Sequence, residues 1–158
     1  MRPRIVLIGV GNEMRRDDGV GLAVVRAVTE DLDRSIESVI LDGEPTRMID
    51  AWESFDVAVV VDAVRTGAAP GTVHRYDVSG GDRLPGRVDQ ASSHALGIGE
   101  SIALGRALDR LPGRVVVVGV EGSEFGDGPG LSAPVAAAVA GAAAAVRSEL
   151  TALAGDVR

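Results

Sequence analysis

Three short runs of apolar residues constrain this chain more than any other feature: Ile5–Gly9, Val57–Val61 (VAVVV) and Arg114–Val120 (RVVVVGV). A strand that is apolar at nearly every position must be buried on both faces, and a sheet achieves that when helices cover it from either side. Helical spacing fills the intervals. Val20, Val24, Val28 and Leu32 recur every four residues, which predicts one buried face of a helix from about Val20 to Leu32. A short helix is expected over Thr46–Glu53, with Pro45 or Thr46 at its start. Leu96, Ile102, Leu104, Leu108 and Leu111 carry a further helical pattern. Leu131, Val135, Val139, Ala143, Val146 and Leu150 predict a last helix from near Ser132, with Pro134 in its first turn. Ser38–Leu41 reads as a second strand, and the alternating segment Thr72–Val78 as a half-exposed edge strand. The expected fold class is α/β: a three-layer sandwich around a five-stranded, mostly parallel or mixed sheet. Thr72–Val78 is a candidate antiparallel strand, because only about ten residues separate it from the strand before, short for a helical crossover.

A length of 158 residues predicts one α/β domain over residues 1–158, with 155–158 as a frayed tail. The composition is 46% hydrophobic with few aromatics, so the core must be built from Val, Leu, Ile and Ala. A formal net charge of −7 with no run of Lys or Arg argues against nucleic acid and anionic membranes as partners. The absence of cysteine removes disulfides, thiolate nucleophiles and Cys-based zinc sites, and suits a reducing compartment. The N-terminal apolar run is too short to span a membrane and leads directly into Gly9 and Asn12. The Ala-rich stretch Ala133–Val146 reads as a buried helix and not a span.

The polar residues gather after the strands. Asp17 and Asp18 follow the first, Asp42 the second, Asp62 ends the third, Glu121 follows the fifth, and His94 opens the helix after the long loop Ser79–Ser93. With parallel strands these residues share the carboxyl edge, where open α/β sheets bind ligands. Two carboxylates and an imidazole converging there make an oxygen-and-nitrogen site for a borderline divalent ion. Each also has a plainer reading. Asp17 reads as a cap for the following helix, and Asp18 as functional. Asp62 abuts a buried strand, where an acid is costly unless it has a partner. His94 by itself reads as a capping or packing residue, and His74 as solvent-facing. Asp42 and Glu121 are divided evenly between turn or cap roles and support of a site, and Arg15 and Arg16 read as solvated loop charges.

Rival motifs fail on their spacing. GVGNEM puts Met14 where a dinucleotide fingerprint needs its third glycine, and the twin acids would repel a pyrophosphate. There is no GK[ST] phosphate loop and no G-x-S-x-G; Ser92 and Ser93 beside His94 do not make a triad. A protease using Asp18 and Asp62 as a carboxylate pair is conceivable, but the metal reading needs them only to share a cleft.

The ordered motifs GVGN, DDGVG, VVVDAV and SSHALG, within a span from Ile5 to about Val146, resemble the hydrogenase maturation proteases. These endopeptidases trim the C-terminal extension of the nickel-iron hydrogenase large subunit. The resemblance implies a phosphorylase- or hydrolase-like three-layer sandwich. It also implies that Asp18, Asp62 and His94 are the metal-binding and catalytic residues. The metal it implies is nickel, supplied by the large-subunit precursor and used to recruit the protease. The chain is accordingly expected to be a cytoplasmic, monomeric peptidase. The alternatives are a non-catalytic nickel-dependent binding module and a nucleotide-binding α/β domain. Two loops depart from the family pattern: Gly43-Glu44-Pro45-Thr46 stands where Gly-Gly-Thr is common, and Glu121 precedes Gly122 where Glu-Pro is common. Both departures bear on which hydrogenase is served.

Overall fold

The apolar runs form the centre of one sheet. In the computed structural model, which describes residues 2–85 and 94–155 (side chains of 94–97 excepted), the strands are β1 (Ile5–Val10), β2 (Ile36–Leu41), β3 (Val57–Val64), β4 (Val73–Asp77) and β5 (Arg114–Glu121). The helices are α1 (Val20–Thr29), α2 (Pro45–Trp52), α3 (His94–Ala107) and α4 (Ala133–Gly155), with a single 3₁₀ turn over Arg16–Gly19 before α1. The sheet order is β2-β1-β3-β5-β4. β1 pairs in parallel with β2 and β3, and β3 with β5, while β4 runs antiparallel to β5 at the edge. The mixed sheet and its antiparallel edge strand are as the sequence predicts. Most of the Ser79–Ser93 loop, and the tail after Gly155, lie outside the described residues.

Strand alternation sorts the core into two layers. Ile5 and Leu7, Val57, Val59 and Val61, and Val116, Val118 and Val120 face α1 and α4. Val6, Ile8, Ala58, Val60, Val115 and Val117 face the other way, onto Met48, Ile49 and Trp52 of α2 and Ile98 and Ile102 of α3. Burial of each large side chain contributes roughly 1.5–3 kcal/mol. Both sheet faces are covered, which is why the central strands tolerate no polar alternation.

Local chemistry sets the boundaries. Helix α1 stops at Thr29, short of Leu32, and Ser35 N–H then donates to Asp33 Oδ1 at 2.8 Å in a turn leading to β2. Helix α2 starts with Pro45 in its first turn and is capped by Glu44, whose carboxylate accepts from Thr46 N and Arg47 N, both at 3.1 Å. Helix α4 is not wholly buried, as the Ala-rich sequence suggested. Val135, Ala142, Ala143, Val146, Leu150 and Leu153 dock inward, while Ala136, Ala140 and Ala144 are exposed, because α4 is an outer-layer helix with nothing beyond it in the described residues. Its length and composition would suffice to cross a bilayer, and its inner face is docked on α1 and β5. Gly141 lies on the open side, where a Cβ meets nothing within 4 Å. Gly141→Ala is therefore expected to stabilise the protein by up to about 1 kcal/mol, read as a raised Tm.

Candidate functional site

The chain leaves β1 for β2 on one side and returns as β3 on the other. That makes the carboxyl end of the β1/β3 pair the topological switch point, where open α/β sheets form a ligand crevice. Close approach of backbones shapes this point. A Cβ on Gly21, in the first turn of α1, would lie 2.6 Å from the Val10 carbonyl and closer still to that of Val61. Gly11, at φ +148°, admits the Asp18 carbonyl where any Cβ would sit. The Arg16–Gly19 turn is thereby pressed onto β3.

Asp18, in the turn after β1, and Asp62, on β3, both lie at this end of the sheet and are nearly fully buried. Asp18 Oδ2 accepts from Asn12 N at 3.0 Å, so the residue after GVG holds the carboxylate in the turn. Asp62 Oδ1 accepts from Ala63 N at 2.8 Å. Asp62 does not end its strand. β3 runs on to Val64, because β5 continues to Glu121 and keeps pairing after the β1–β3 ladder has ended at Gly9 opposite Val61. By alternation with Ala58 and Val60, Asp62 falls on the face covered by α2 and α3. α3 packs on α2, and the segments that follow the two helices meet where Arg110 bonds Glu53 at 2.7 Å, so the C-terminal ends of α2 and α3 lie together and the first residue of α3, His94, starts toward the carboxyl edge on that same face. The His94 side chain lies outside the described residues. Among the described residues no three His, Asp or Glu side chains form a metal-holding group, so Asp18 and Asp62 are the members of the expected trio whose surroundings are defined.

Asp17 is structural, but it is not the cap expected for α1, whose N-cap position carries no side-chain bond. Its carboxylate turns to the loop between β5 and α4 and accepts from Ser123 N (2.9 Å), Glu124 N (2.9 Å), Ser132 N (2.7 Å) and Ser132 Oγ (2.8 Å). Burial pushes this acid up, but the hydrogen bonds from Ser123, Glu124 and Ser132 outweigh it and hold the carboxyl below its usual range. Arg15 and Arg16 join the same seam and are not simply solvated. Arg15 Nη2 donates to Phe125 O at 3.2 Å, and Arg16 pairs with Glu124 at 2.9 Å. Asp42 takes the turn role, accepting from Glu44 N and pairing with Arg47 on the exposed rim.

Glu121 and His74 overturn the expectation that His74 faces solvent. Glu121 is 1% exposed and accepts from Thr66 N (2.8 Å), Thr66 Oγ1 (2.6 Å) and Gly67 N (3.3 Å), with His74 Nε2 at 3.0 Å. Burial raises its carboxyl, and the bonds from Thr66, His74 and Gly67 more than reverse the effect, leaving it low. Burial also raises the Tyr76 hydroxyl, with the Glu121 charge adding to the shift. The signal was present in the sequence: His74 alternates with Tyr76 and Val78, whose face is the buried one, and not with Arg75 and Asp77.

A parallel-centred α/β sheet with buried carboxylates around its switch point is the architecture of an enzyme-type ligand site. A family model described as hydrogenase maturation protease matches residues 22–149, and the chain belongs to that family. The match begins just after the Asp17-Asp18 turn and includes Asp62 and His94. The chain is 32% identical over 127 residues to the hydrogenase expression/formation protein HupD of Thiocapsa roseopersicina, covering 79% of this chain and 57% of that protein. It is 28% identical over 136 residues to HupD of Rhizobium leguminosarum bv. viciae, covering 84% and 67% respectively. The chain thus spans 57% of the length of the first of these curated relatives and 67% of the second. Its fold resembles that of the hydrogenase maturating endopeptidase HybD from Escherichia coli, with a TM-score of 0.79 at 22% identity over 94% of this chain and 92% of that one. It also resembles the NiFe hydrogenase maturation protease HybD from Thermococcus kodakarensis, with a TM-score of 0.73 at 23% identity over 92% and 98%.

Proposed function

We propose that this chain is the endopeptidase that removes the C-terminal extension of a nickel-iron hydrogenase large-subunit precursor, recognising nickel the precursor already carries. The observation that carries the reading is the pair of buried carboxylates, Asp18 and Asp62, around the switch point of a chain in this family. Carboxylates are withdrawn from water at a cost of several kcal/mol unless a cation or hydrogen bonds compensate. With the imidazole of His94, which opens α3 at the same edge, they make a mixed oxygen and nitrogen donor set of the kind nickel accepts.

In this reading the nickel is part of the substrate. Asp18, Asp62 and His94 grip it from the protease side and so fix the scissile bond in position, which removes the entropic cost of orienting a large partner. The same three residues are the catalytic set. The net charge of −7 and the lack of cysteine suit a cytoplasmic monomer that docks a protein partner rather than nucleic acid or a membrane.

The test is incubation with nickel-loaded precursor, read by mass spectrometry, with a pull-down reporting precursor capture. Asp62→Asn and His94→Ala are each expected to reduce processing at least about 100-fold with the Tm little changed. Full processing by both variants removes the assignment. Capture by the wild type without any loss of precursor mass identifies a binding module instead.

A further inference from the structure

We propose that the outer edge of β2 binds the precursor's C-terminal extension as an added antiparallel strand. The proposal rests on the protease reading above and says where the part to be removed is held. β2 stands at the end of the sheet order, next to β1. Its six residues pair with β1 in unbroken register, from Ile5 opposite Ile36 to Val10 opposite Leu41. Gly11 N–H donates to the Leu41 carbonyl at 3.1 Å, which fixes the main-chain groups of Leu41 on the β1 side. Those groups alternate in direction along a strand, so Glu37 and Val39 also face β1, while Ile36, Ser38 and Ile40 face outward. Ile36 N–H turns back to the Asp33 carbonyl at 3.0 Å. Ser38 and Ile40 each keep an outward donor and an outward acceptor that meet no partner among the described residues.

An open edge is a hazard that proteins ordinarily blunt with charge, proline, a bulge or a covering element. β4, the opposite edge, is blunted. At its end Asp77 N–H donates to Asp82 Oδ2 at 2.8 Å, and the Asp77 carbonyl accepts from Gly80 N and Asp82 N. Arg75 is locked to Glu149 by two bonds of 2.8 Å. β2 has a single charge, Glu37, no proline, and no bulge in its ladder. It also leaves Ile40 39% exposed, because Ile40 pairs with Gly9 and gains no side-chain neighbour from β1.

What fits this edge is an extended peptide that sets out from the carboxyl end of the sheet. β2 is tied to the site at that end. Gly11 N–H reaches Leu41, and the N–H of the next residue, Asn12, holds the Asp18 carboxylate at 3.0 Å. The extension is the chain that follows the cut. It therefore leaves the carboxyl edge with its N-terminal end and runs away from the precursor body, opposite in direction to β2. From β3 to a strand beyond β2 is three strand spacings, about 14 Å, which about four extended residues cross. The next six or so residues lie along β2, about 20 Å of strand. Main-chain bonds supply the hold, so the edge recognises an extended backbone rather than a fixed sequence.

The experiment measures processing of nickel-loaded precursor by wild type and Ser38→Pro. Proline at an outward position removes an edge donor and leaves the N–H groups of the β1 ladder in place. Ser38→Pro is expected to raise KM about tenfold for the full precursor, and to match wild type on a precursor whose extension is cut to about three residues. With wild-type protein, N-methylation of the extension's backbone is expected to weaken processing at alternate residues from about the fifth after the cut, where N–H groups point at β2, and to be tolerated between them. Equal KM values for Ser38→Pro and wild type overturn the proposal. So does an equal loss on the shortened precursor, or N-methylation without a two-residue period. The N-methylated extensions decide the question alone if Ser38→Pro does not fold. Sedimentation that finds wild type dimeric and Ser38→Pro monomeric gives the edge to a second copy of this chain, and also overturns the proposal. Wild-type protein that captures precursor and never cleaves it overturns the protease reading itself, and the two-residue period is then read in capture.

Discussion

Asp17→Ala is expected to destabilise the protein by about 3–5 kcal/mol at neutral pH, the cost of breaking a buried, fully hydrogen-bonded charge site. At roughly 2–4 °C per kcal/mol for a domain of this size, Tm falls by about 10 °C. The residue is 0% exposed, and its carboxylate is the acceptor for three backbone N–H groups and the Ser132 hydroxyl. Truncation leaves the Ser132 donors buried, and those of Ser123 and Glu124 part-buried, with nothing to receive them. It also unties the loop leading into α4 from the turn leading into α1, since only the backbone bond from Asp17 N to Glu124 O and its neighbours remain. Acid gives the same result another way. The folded-state pKa of Asp17 lies below its unfolded value, so its contribution is complete above the ordinary aspartate range and is lost as pH falls through the lower folded value. The gap in Tm between wild type and Asp17→Ala should therefore be widest near neutrality and shrink in strong acid. A gap that stays constant down to pH 2 would contradict this assignment.

Gly21→Ala is expected to cost about 3 kcal/mol, the upper part of the range for overpacking, because the obstacles are backbone atoms that cannot rotate away. The new methyl would meet the carbonyls of Val10 and Val61, one on each side of the switch point. Relief requires α1 to lift from the β1/β3 pair. That movement would also displace the Arg16–Gly19 turn with Asp18, so processing should fall along with Tm. Gly141→Ala is the internal control. It is the same substitution in a helix, but into open space, and the sign is expected to reverse. Equal Tm values for Gly21→Ala and wild type, measured by thermal unfolding, would show that the close approach at the switch point is not rigid.

The strand positions were legible because the evidence for them is local. VAVVV and RVVVVGV permit few states other than a doubly covered strand, and the β4 connection was too short to be parallel. The helices were legible in outline but not at their ends. The Glu44 cap and the early stop of α1 depend on side chain to backbone bonds that periodicity does not encode. The burial of Asp18 and Asp62 at the carboxyl edge follows from their places after the first strand and in the third, although β3 runs two residues beyond Asp62. Asp17 is polar structure as its sequence suggests, but three residues beyond the sheet, Ser123, Glu124 and Ser132, hold it rather than the adjacent helix start. His74 was misread because the alternation of β4 is short and mixed, and its acid partner lies 47 positions away.

What the sequence determined by itself is the layered α/β fold, the family, and the edge of the sheet at which the buried acids gather. Those follow from residue type and spacing along the chain, which act over a few positions at a time. Only the tertiary structure decided that Asp17 clamps the loop before α4, that Asp62 has strand on both sides of it, and that Glu121 and His74 meet beneath Thr66. Each of those depends on which strand lies beside which, and in what register, and that is settled by how whole layers bury their faces against one another.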